Sequence, residues 1–519
     1  MLFRSKSFFI CLILLYGAGL YSQDKKTVRI SIKEAVANVI EHNLTVKNAK
    51  LEILKTDTPE LKNHGKFNWT VFGEVTSFKT QNPVNQTTIL SGTKVSNDRI
   101  AAGIEKQFHT GTYFMAEIST VRFDANAFEG QSAYLNSRLA FLAIKPLYTG
   151  ALTFKLSQEL WKYSFGKYEK NKEKILQTQA AIDRDQLVFL LSNIVAKTLI
   201  DYWSLAILDN AVLTYEKLLK NAKQIRGITY EKQRIGIAEA FDGSMWNSIV
   251  AGLESQVERA KLDRYAAEVN LKRILGVDPS MQVEGVTDLI EEIPSGISYE
   301  KDLAYAYEKR IELRNLKRLR EKSRLQRKNA EEEDEPSVKL SAMYSTRGQT
   351  LLSPQENYIN TGQGILSLKY PEARAEINIS YPLWDEGVKE TLREAKVNEK
   401  QIEEQEEAFR KEVAVELRNR IDAINTSYLT LKNAKKAKEE TDRYFRGLYA
   451  KYSSGRFTSL MVKNALDALA QSELQIIQAK VNFNINLVRY DLVKNALFEK
   501  YEVDPDKVIE EIIKKTKLQ

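Results

Sequence analysis

The chain has 519 residues, with 77 basic and 69 acidic side chains, a net charge of +8 and a mean hydropathy of −0.39. The evenly mixed signs argue against a nucleic-acid binder, the low hydropathy excludes a bundle of membrane-spanning helices after the first residues, and a single cysteine excludes a disulfide framework. Ten prolines and 23 glycines are too few to punctuate many small compact domains.

At the N-terminus, Arg4 and Lys6 precede an apolar run from Phe8 to Leu15 and the small residues Gly17, Ala18 and Gly19. This is the pattern of a secretory signal peptide, residues 1–22, cut after Ser22. Cys11 lies within the run behind Phe8-Phe9-Ile10, so no lipid anchor is expected and the mature chain is expected to lack cysteine.

Ser31 and Glu34 have capping-box spacing, and the apolar positions Ile32, Ala35, Val36, Val39, Ile40, Leu44 and Ala49 predict a helix over 31–63. The period then changes to two. Trp69, Val71 and Val75, then Ile100, Ala102 and Ile104, then Phe114, Ala116 and Ile118, and finally Leu135, Leu139, Phe141 and Ala143 alternate with polar or small residues. Strands of this kind within 67–149 are long enough to cross a bilayer when tilted, and a soluble half-buried sheet carries the same signal. The stretch Pro146-Leu147-Tyr148-Thr149-Gly150 reads as the end of the strands. A long helical hairpin is predicted over 151–275, turning near Gly236, and an irregular segment over 276–297.

The plan then recurs. A helix over 298–330 carries a basic run (Arg310, Arg314, Arg318, Arg320 and Arg327 among others) followed by Glu331 to Glu335, which reads as a solvated face with a neutralising acidic segment. A phosphate-rich partner is the other reading, and an export signal argues against nucleic acid. Strands within 336–384 include the cleanest alternation in the chain. There Ala375, Ile377, Ile379 and Tyr381 alternate with Arg374, Glu376, Asn378 and Ser380. A second hairpin is predicted over 387–501, with a tail over 502–519. Its first arm, Gly387 to Tyr452, has no proline and a narrow apolar seam through Phe409, Val413, Leu417, Ile421, Ile424, Tyr428 and Leu431. That is a coiled-coil pattern about 100 Å long. Residues 23–297 and 298–501 thus form two copies of helix, strands, long helix, turn and returning helix. Two short helices end to end match one long helix, with the strands gathered at one end of a rod.

In this arrangement the chain resembles the TolC-like outer-membrane efflux proteins over essentially all of its mature length. The resemblance is carried by the opening Ser31-Ile32-Lys33-Glu34-Ala35 with Glu41-His42-Asn43, the strand-end motifs Lys145 to Gly150 and Tyr381 to Gly387, and the turns around Gly236 and Gly455. It implies a mainly α fold with a β-barrel part. Three chains giving about four strands each would close an outer-membrane barrel that continues into a periplasmic α-helical barrel. It also implies a passive exit duct of a tripartite efflux or type I secretion system, opened at its periplasmic tip. The implied partners are two sister chains, a periplasmic adaptor, an inner-membrane pump of RND or ABC type, and outer-membrane lipid. The segment 100–122 departs from the family pattern as an extra hairpin.

The resemblance assigns adaptor docking to Ile235, Gly236, Ile237 and Ala238 and to Ser454, Gly455, Arg456, Phe457 and Thr458. It assigns the periplasmic gate to Asp242, Arg456, Met461 and Asn464, with Arg456 a candidate partner for Asp242, and a water-filled lumen to Arg374, Glu376, Asn378 and Ser380. Many members carry aspartates where this chain has Met461 and Asn464, so a cation-binding ring is not expected. Met461 either closes the pore by dewetting or packs in the seam. His42, His64 and His109 show no metal-ligand spacing, and no phosphate loop, nucleophile elbow or catalytic cysteine appears. No metal, cofactor or enzymatic activity is expected. The alternative is an exported coiled-coil scaffold or adhesin with a soluble β-domain.

Overall fold

The structure, a computed structural model, describes residues 27–85, 87–127, 146–278, 282–285, 289–350, 365, 368–501, 504, 507 and 510. The expected signal peptide, the strand expected over 135–143 and most of the tail lie outside the described residues. The chain is mostly helical with one large sheet, and it divides into two compact units. The first draws on 1–47, 194–293 and 424–488, the second on 48–193, 294–423 and 489–519.

Strand β1 (Thr27–Ile30) leads into α1 (Ile32–His42). Its start is the expected capping box: Ser31 N–H donates to Glu34 Oε2 at 2.7 Å, and Glu34 N–H donates to Ser31 Oγ at 3.3 Å. The helix expected over 31–63 is broken into three, α1, α2 (Leu44–Ile53) and α3 (Thr58–Gly65). Asn43 causes the first break. Its Oδ1 accepts from Thr45 N–H and Val46 N–H, a local alternative to the helix ladder, while its backbone turns extended at ψ 130°. The helix expected over 298–330 breaks likewise at Arg310, giving α7 (Tyr299–Lys309) and α8 (Ile311–Glu333).

The first hairpin is α5 (Lys167–Arg234) and α6 (Ala240–Leu275), the second α9 (Glu386–Tyr452) and α10 (Ser459–Val493). The first does not begin at 151, because Leu147–Glu159 is strand β5. Leu152, Phe154 and Leu156 alternate with Thr153, Lys155 and Ser157, so the period of two continues through the residues assigned to the helix. The strand-end motif is therefore not Lys145 to Gly150. The strand-to-helix turn is Leu160 to Gly166, where Tyr163, Phe165 and Gly166 take positive φ, and it shares a Leu-Trp pair with Leu383-Trp384, whose Trp384 also has φ 59°. The second returning helix ends at Val493 and not 501, because Asn495 turns left-handed at φ 58°; a one-turn helix α11 (Leu497–Lys500) follows. The long helices have 68 and 67 residues and the returning ones 36 and 35.

In the first unit β1 pairs in parallel with β6 (Gln282–Gly285). Asn43 Nδ2 donates to Ile274 O at 2.8 Å, and Gly276 caps α6 at φ 67°, where a Cβ would meet His42 at 2.7 Å. The Tyr202 hydroxyl donates to Ile30 O at 2.7 Å. Fully buried Asn484 makes both amide bonds to the backbone of Ile290, accepting from its N–H at 2.9 Å and donating to its C=O at 2.8 Å. Beside it Glu291 pairs with Lys435 at 2.7 Å and with Lys480.

The second unit holds an antiparallel six-stranded sheet in the order β2-β3-β4-β5-β7-β8, where β2 is Thr70–Gln81, β3 Lys94–Gln107, β4 Thr112–Ala125, β7 Ser337–Thr350 and β8 Tyr370–Ser380. A one-turn helix, α4 (Thr88–Ser91), sits in the β2–β3 connection. The expectation of about four strands is thus corrected to six among the described residues. The extra hairpin pairs along its whole length with β2 on one side and β5 on the other. The basic run leaves Arg314, Lys317, Arg320, Arg324 and Lys328 exposed, as expected of a solvated face, yet most of its arginines also hold carboxylates of other helices. Arg314 binds Asp185 bidentately at 2.7 Å with Arg318 on the same carboxylate, Arg310 holds Glu416 at 2.9 Å, Arg320 holds Glu406 at 3.2 Å and Arg327 holds Glu399 at 2.6 Å. Most of their neutralising partners come from α5 and α9, and of the acidic segment 331–335 Glu331 also takes part, by pairing with Arg327. Among the described residues, α5 alone is apolar enough over 18 residues to cross a membrane as a helix, and half of that stretch is buried in the protein.

Hydrogen bonds from Lys435 and Lys480 hold the Glu291 carboxyl at about 2, below its ordinary 4.5. A depressed carboxyl stabilises the fold fully above its unfolded value, and this contribution is lost as pH falls through 4.5 toward 2. At pH 3.5 the wild-type segment 289–292 should therefore keep its amide-exchange protection, whereas Lys435→Met/Lys480→Met should exchange faster there. Equal protection in both proteins would show that the two lysines do not hold the segment.

Candidate functional site

Two features have the chemistry of a site: the two faces of the sheet and the hairpin tips. Residues paired directly across an antiparallel ladder share a face. The register runs Val71–Ile104–Ala116–Phe154–Tyr344–Ala373 and Val75–Ile100–Thr120, with Ile118–Leu152 between, then Leu340–Ile377 and Val338–Ile379 across the last pair. All the apolar residues expected to alternate in the described strands therefore fall on one face. That face is not covered: Val71 and Val75 are 79% exposed, Ile379 70% and Ile377 64%, and Ile100, Ile104, Ile118, Phe154, Leu156, Leu340 and Tyr344 are also exposed. An apolar surface of this extent is not a feature of a protein face that meets water.

Polar groups end the apolar face on both sides. On β3 it runs from Lys106 to Asp98, about 27 Å along the strand. At the Lys106 end Trp69 meets Phe108 and Phe114 edge-on at 6.4 and 6.1 Å, with the Lys106 ammonium 5.1 Å from the Trp69 ring. At the other end Arg122 binds Asp98 at 3.1 Å and Asp124 at 2.6 Å. The opposite face carries Glu74, Arg99 and Glu117, with Arg99 bridging the two carboxylates, and on β8 Arg374, Glu376, Asn378 and Ser380. These last four, singled out from sequence, share one polar face.

At the hairpin tips Gly236 and Gly455 have φ 75° and 78°, the left-handed conformation that lets each chain reverse. The tips adjoin, since Ile237 lies 3.7 Å from the position of a Cβ on Gly455. Ile235, Ile237 and Phe241 are exposed, as are Ser454, Arg456 and Thr458, whereas Ala238 and Phe457 are half-buried. Phe457 packs against a core of residues from all four helices, among them Leu218, Ile225, Trp246, Phe445, Val462 and Leu466.

Among the residues expected at the gate, one pairing is not made and one side chain is exposed. Asp242 does not pair with Arg456. It is the third residue of a capping box at the start of α6, its Oδ2 accepting the Glu239 N–H at 3.3 Å. That carboxylate sits at a helix N-terminus, where unpaired N–H groups and the helix dipole favour it, and its charge also acts on Lys232. Met461 does not pack in the seam: it is 48% exposed, with Asn464 exposed beside it.

Sequence reasoning missed the groups that tie the tips together. The Tyr452 hydroxyl, on α9, lies 2.8 Å from Thr229 Oγ1 on α5 and 2.8 Å from Ser459 Oγ on α10. The buried Lys232 sits over the Tyr452 ring at 3.6 Å, and burial lowers its pKa. Tyr452 stands three residues before the turn glycine, the one local hint of its place. The histidines too are not all scattered: His64 and His109 approach edge to face at 5.6 Å.

Comparison with known proteins matches this geometry. Residues 305–490 match the model of the outer membrane efflux protein family, so the resemblance drawn from sequence is borne out there. No curated protein matches the sequence. Among solved structures, the Campylobacter jejuni CmeC outer membrane channel superposes with a TM-score of 0.65 at 14% identity, over 93% of this chain and 89% of that one. The Vibrio cholerae outer membrane protein VceC gives 0.62 at 12% identity, over 90% and 96%. The Neisseria gonorrhoeae MtrE outer membrane channel, in its open state, gives 0.60 at 12% identity, over 90% and 89%.

Tyr452→Phe should remove two buried hydrogen bonds and cost about 1–2 kcal/mol, read as a lower thermal midpoint. Tyr452→Leu should cost more, since it also removes the ring beneath Lys232. A Phe variant as stable as wild type would deny the hydroxyl chain any share in holding the tips.

Proposed function

We propose that this chain, with an outer membrane efflux protein segment at 305–490 and the fold of outer-membrane channels throughout, is the outer-membrane exit duct of an efflux or secretion system. One observation carries the reading: a sheet whose apolar face is exposed and whose other face is lined by Arg99, Glu74, Glu117, Arg374 and Glu376. Lipid is the environment that accepts the first, and a water-filled lumen the second. The apolar band, its Trp69–Phe108–Phe114 cluster and the flanking Lys106 match the height and interfacial girdle of a membrane barrel. A soluble β-domain would have to cover Val71, Val75, Ile377 and Ile379.

Six strands cannot span alone, because the outer edges of β2 and β8 would leave backbone groups unpaired in hydrocarbon. With six strands alternating in direction, β8 of one copy meets β2 of the next antiparallel. The described strands of three copies would together close an eighteen-stranded barrel, within the range that leaves an aqueous channel. The near-equal lengths of α5 and α9 and of α6 and α10 support an internal duplication. The exposed Ile235, Gly236 and Ile237, the half-buried Ala238 and the turn Ser454 to Thr458 are the proposed docking surface for a periplasmic adaptor, which would engage an inner-membrane pump. Met461 and Asn464 are the proposed lining of the gate, with Asp242 and Arg456 near it.

Purified from outer membranes, the protein should run as a heat-modifiable trimer and form pores in planar bilayers. The mature chain would have no cysteine, so single cysteines at Val71, Gly73 or Val75 combined with Ile377→Cys should give disulfide-linked oligomers between copies. A water-soluble monomer without pores, or cysteine pairs that never link copies, would overturn the reading. Met461→Asp/Asn464→Asp should make conductance sensitive to divalent cations from the periplasmic side, whereas wild type should be insensitive. Strong block of the wild type would refute this account of the gate.

A further inference from the structure

We propose that Glu60, His64, His109 and Glu173 form a binding site for one divalent first-row transition-metal ion, with Zn2+ the best fit. Two of the chain's three histidines and two carboxylates come together from α3, the β3–β4 turn and the start of α5. His64 Nε2 lies 3.7 Å from Glu60 Oε1 and 3.5 Å from Glu173 Oε1, and His109 Nδ1 lies 4.0 Å from Glu173 Oε2. The ligand atoms of Glu60, His64 and Glu173 all fall within 4.8 Å of one another.

These separations are long for charge-assisted hydrogen bonds, which close to about 2.7–2.9 Å. The two His64 separations are near the spacing imposed by a tetrahedral ion, since bonds of about 2.0–2.2 Å put neighbouring ligand atoms roughly 3.3–3.6 Å apart, and the His109 separation is somewhat longer. Glu60, His64 and Glu173 supply three donors, and His109, which faces the other Glu173 oxygen at 4.0 Å, would have to move in to complete a four-donor set of the kind that holds a structural Zn2+. Hard ions that want six or more oxygens, Mg2+ and Ca2+, are poorly served by it.

The surroundings orient the donors. Glu60 and His64 are four residues apart, on one face of α3. Gln177 Nε2 donates to Glu60 Oε1 at 2.9 Å, and the buried Phe67 ring stacks on His109 with centroids 3.9 Å apart. The backbone of His109 is seated by Gly166, where a Cβ would fall 1.7 Å from the His109 carbonyl oxygen. Only glycine admits the turn so close. Outer partners of this kind fix ring and carboxylate orientation at metal sites. The donor side chains are 22–45% exposed, so an ion can reach them. Once bound, it would clamp the β3–β4 turn to α3 and α5. The site stands independently of the channel reading.

The test uses untagged full-length protein in detergent, stripped with chelator and dialysed against Zn2+. Elemental analysis should find one Zn2+ per chain, Mg2+ should not compete, and Co2+ in its place should give the visible absorption of a tetrahedral complex. His64→Ala and His109→Ala should each weaken Zn2+ binding tenfold or more, Gly166→Ala should weaken it by moving the turn, and His42→Ala should leave it unchanged. A second readout needs no variant: Zn2+ should protect His64 and His109, and not His42, from acylation by diethyl pyrocarbonate, as read by mass spectrometry. Absence of stoichiometric Zn2+, equal protection of all three histidines, or unchanged binding in a folded His64→Ala/His109→Ala protein would mean that these groups are only an ion-pair cluster.

Discussion

The need of backbone groups for hydrogen-bond partners, in a sheet with one exposed apolar face and one charged face, governs the rest of this molecule. The interior strands β3, β4, β5 and β7 are paired on both sides, while each outer strand is paired on one. In water an unpaired edge is tolerable; in the lipid proposed for the valine and isoleucine face it would not be. The extra hairpin does not relieve this constraint. It moves the edge outward by two strands, keeps the alternation of faces, and leaves β2 with the same demand for a neighbour that a shorter sheet would have.

The helices are organised by a different economy. Their breaks coincide with polar residues that make definite contacts. Asn43 interrupts one helix, satisfies the next turn and reaches Ile274. At the other break the Arg310 guanidinium holds Glu312 and Glu416 while stacking on Phe409 at 5.1 Å. The basic run of α8 works in the same way. Most of its arginines carry a carboxylate partner from another helix, so a stretch that looks like a polyanion surface in one dimension is an internal clasp in three. At the tips, Tyr452 brings α5, α9 and α10 together through one hydroxyl, an arrangement in which a single ring serves as cation platform and hydrogen-bond hub.

Much of this was legible in the residues. Long uninterrupted seams announced α5 and α9, glycines announced the tips, and strict alternation announced β2, β3, β4, β7 and β8. The misreadings share a cause. Residues 151–159 follow a proline and precede a long helix, and that context outweighed their own alternation, so β5 was absorbed into the helix. Arg456 was a candidate partner for Asp242, yet three-residue spacing from Glu239 puts the Asp242 carboxylate in a capping box. Met461 sits one residue from Val462, which is fully buried, and no periodicity over so short a span decides which of the two faces inward.

By itself the sequence determined the kind and order of elements, because helix and strand periods, caps and turn glycines act over a few residues and are written locally. It also determined that one strand face is apolar. Only the tertiary structure decided which strands are neighbours, that the extra hairpin lies inside the sheet, and which carboxylate each arginine finds. It alone brought His64, His109 and Glu173 within ligand distance. Those outcomes depend on register and on pairs separated by up to a few hundred residues, and no local signal carries them.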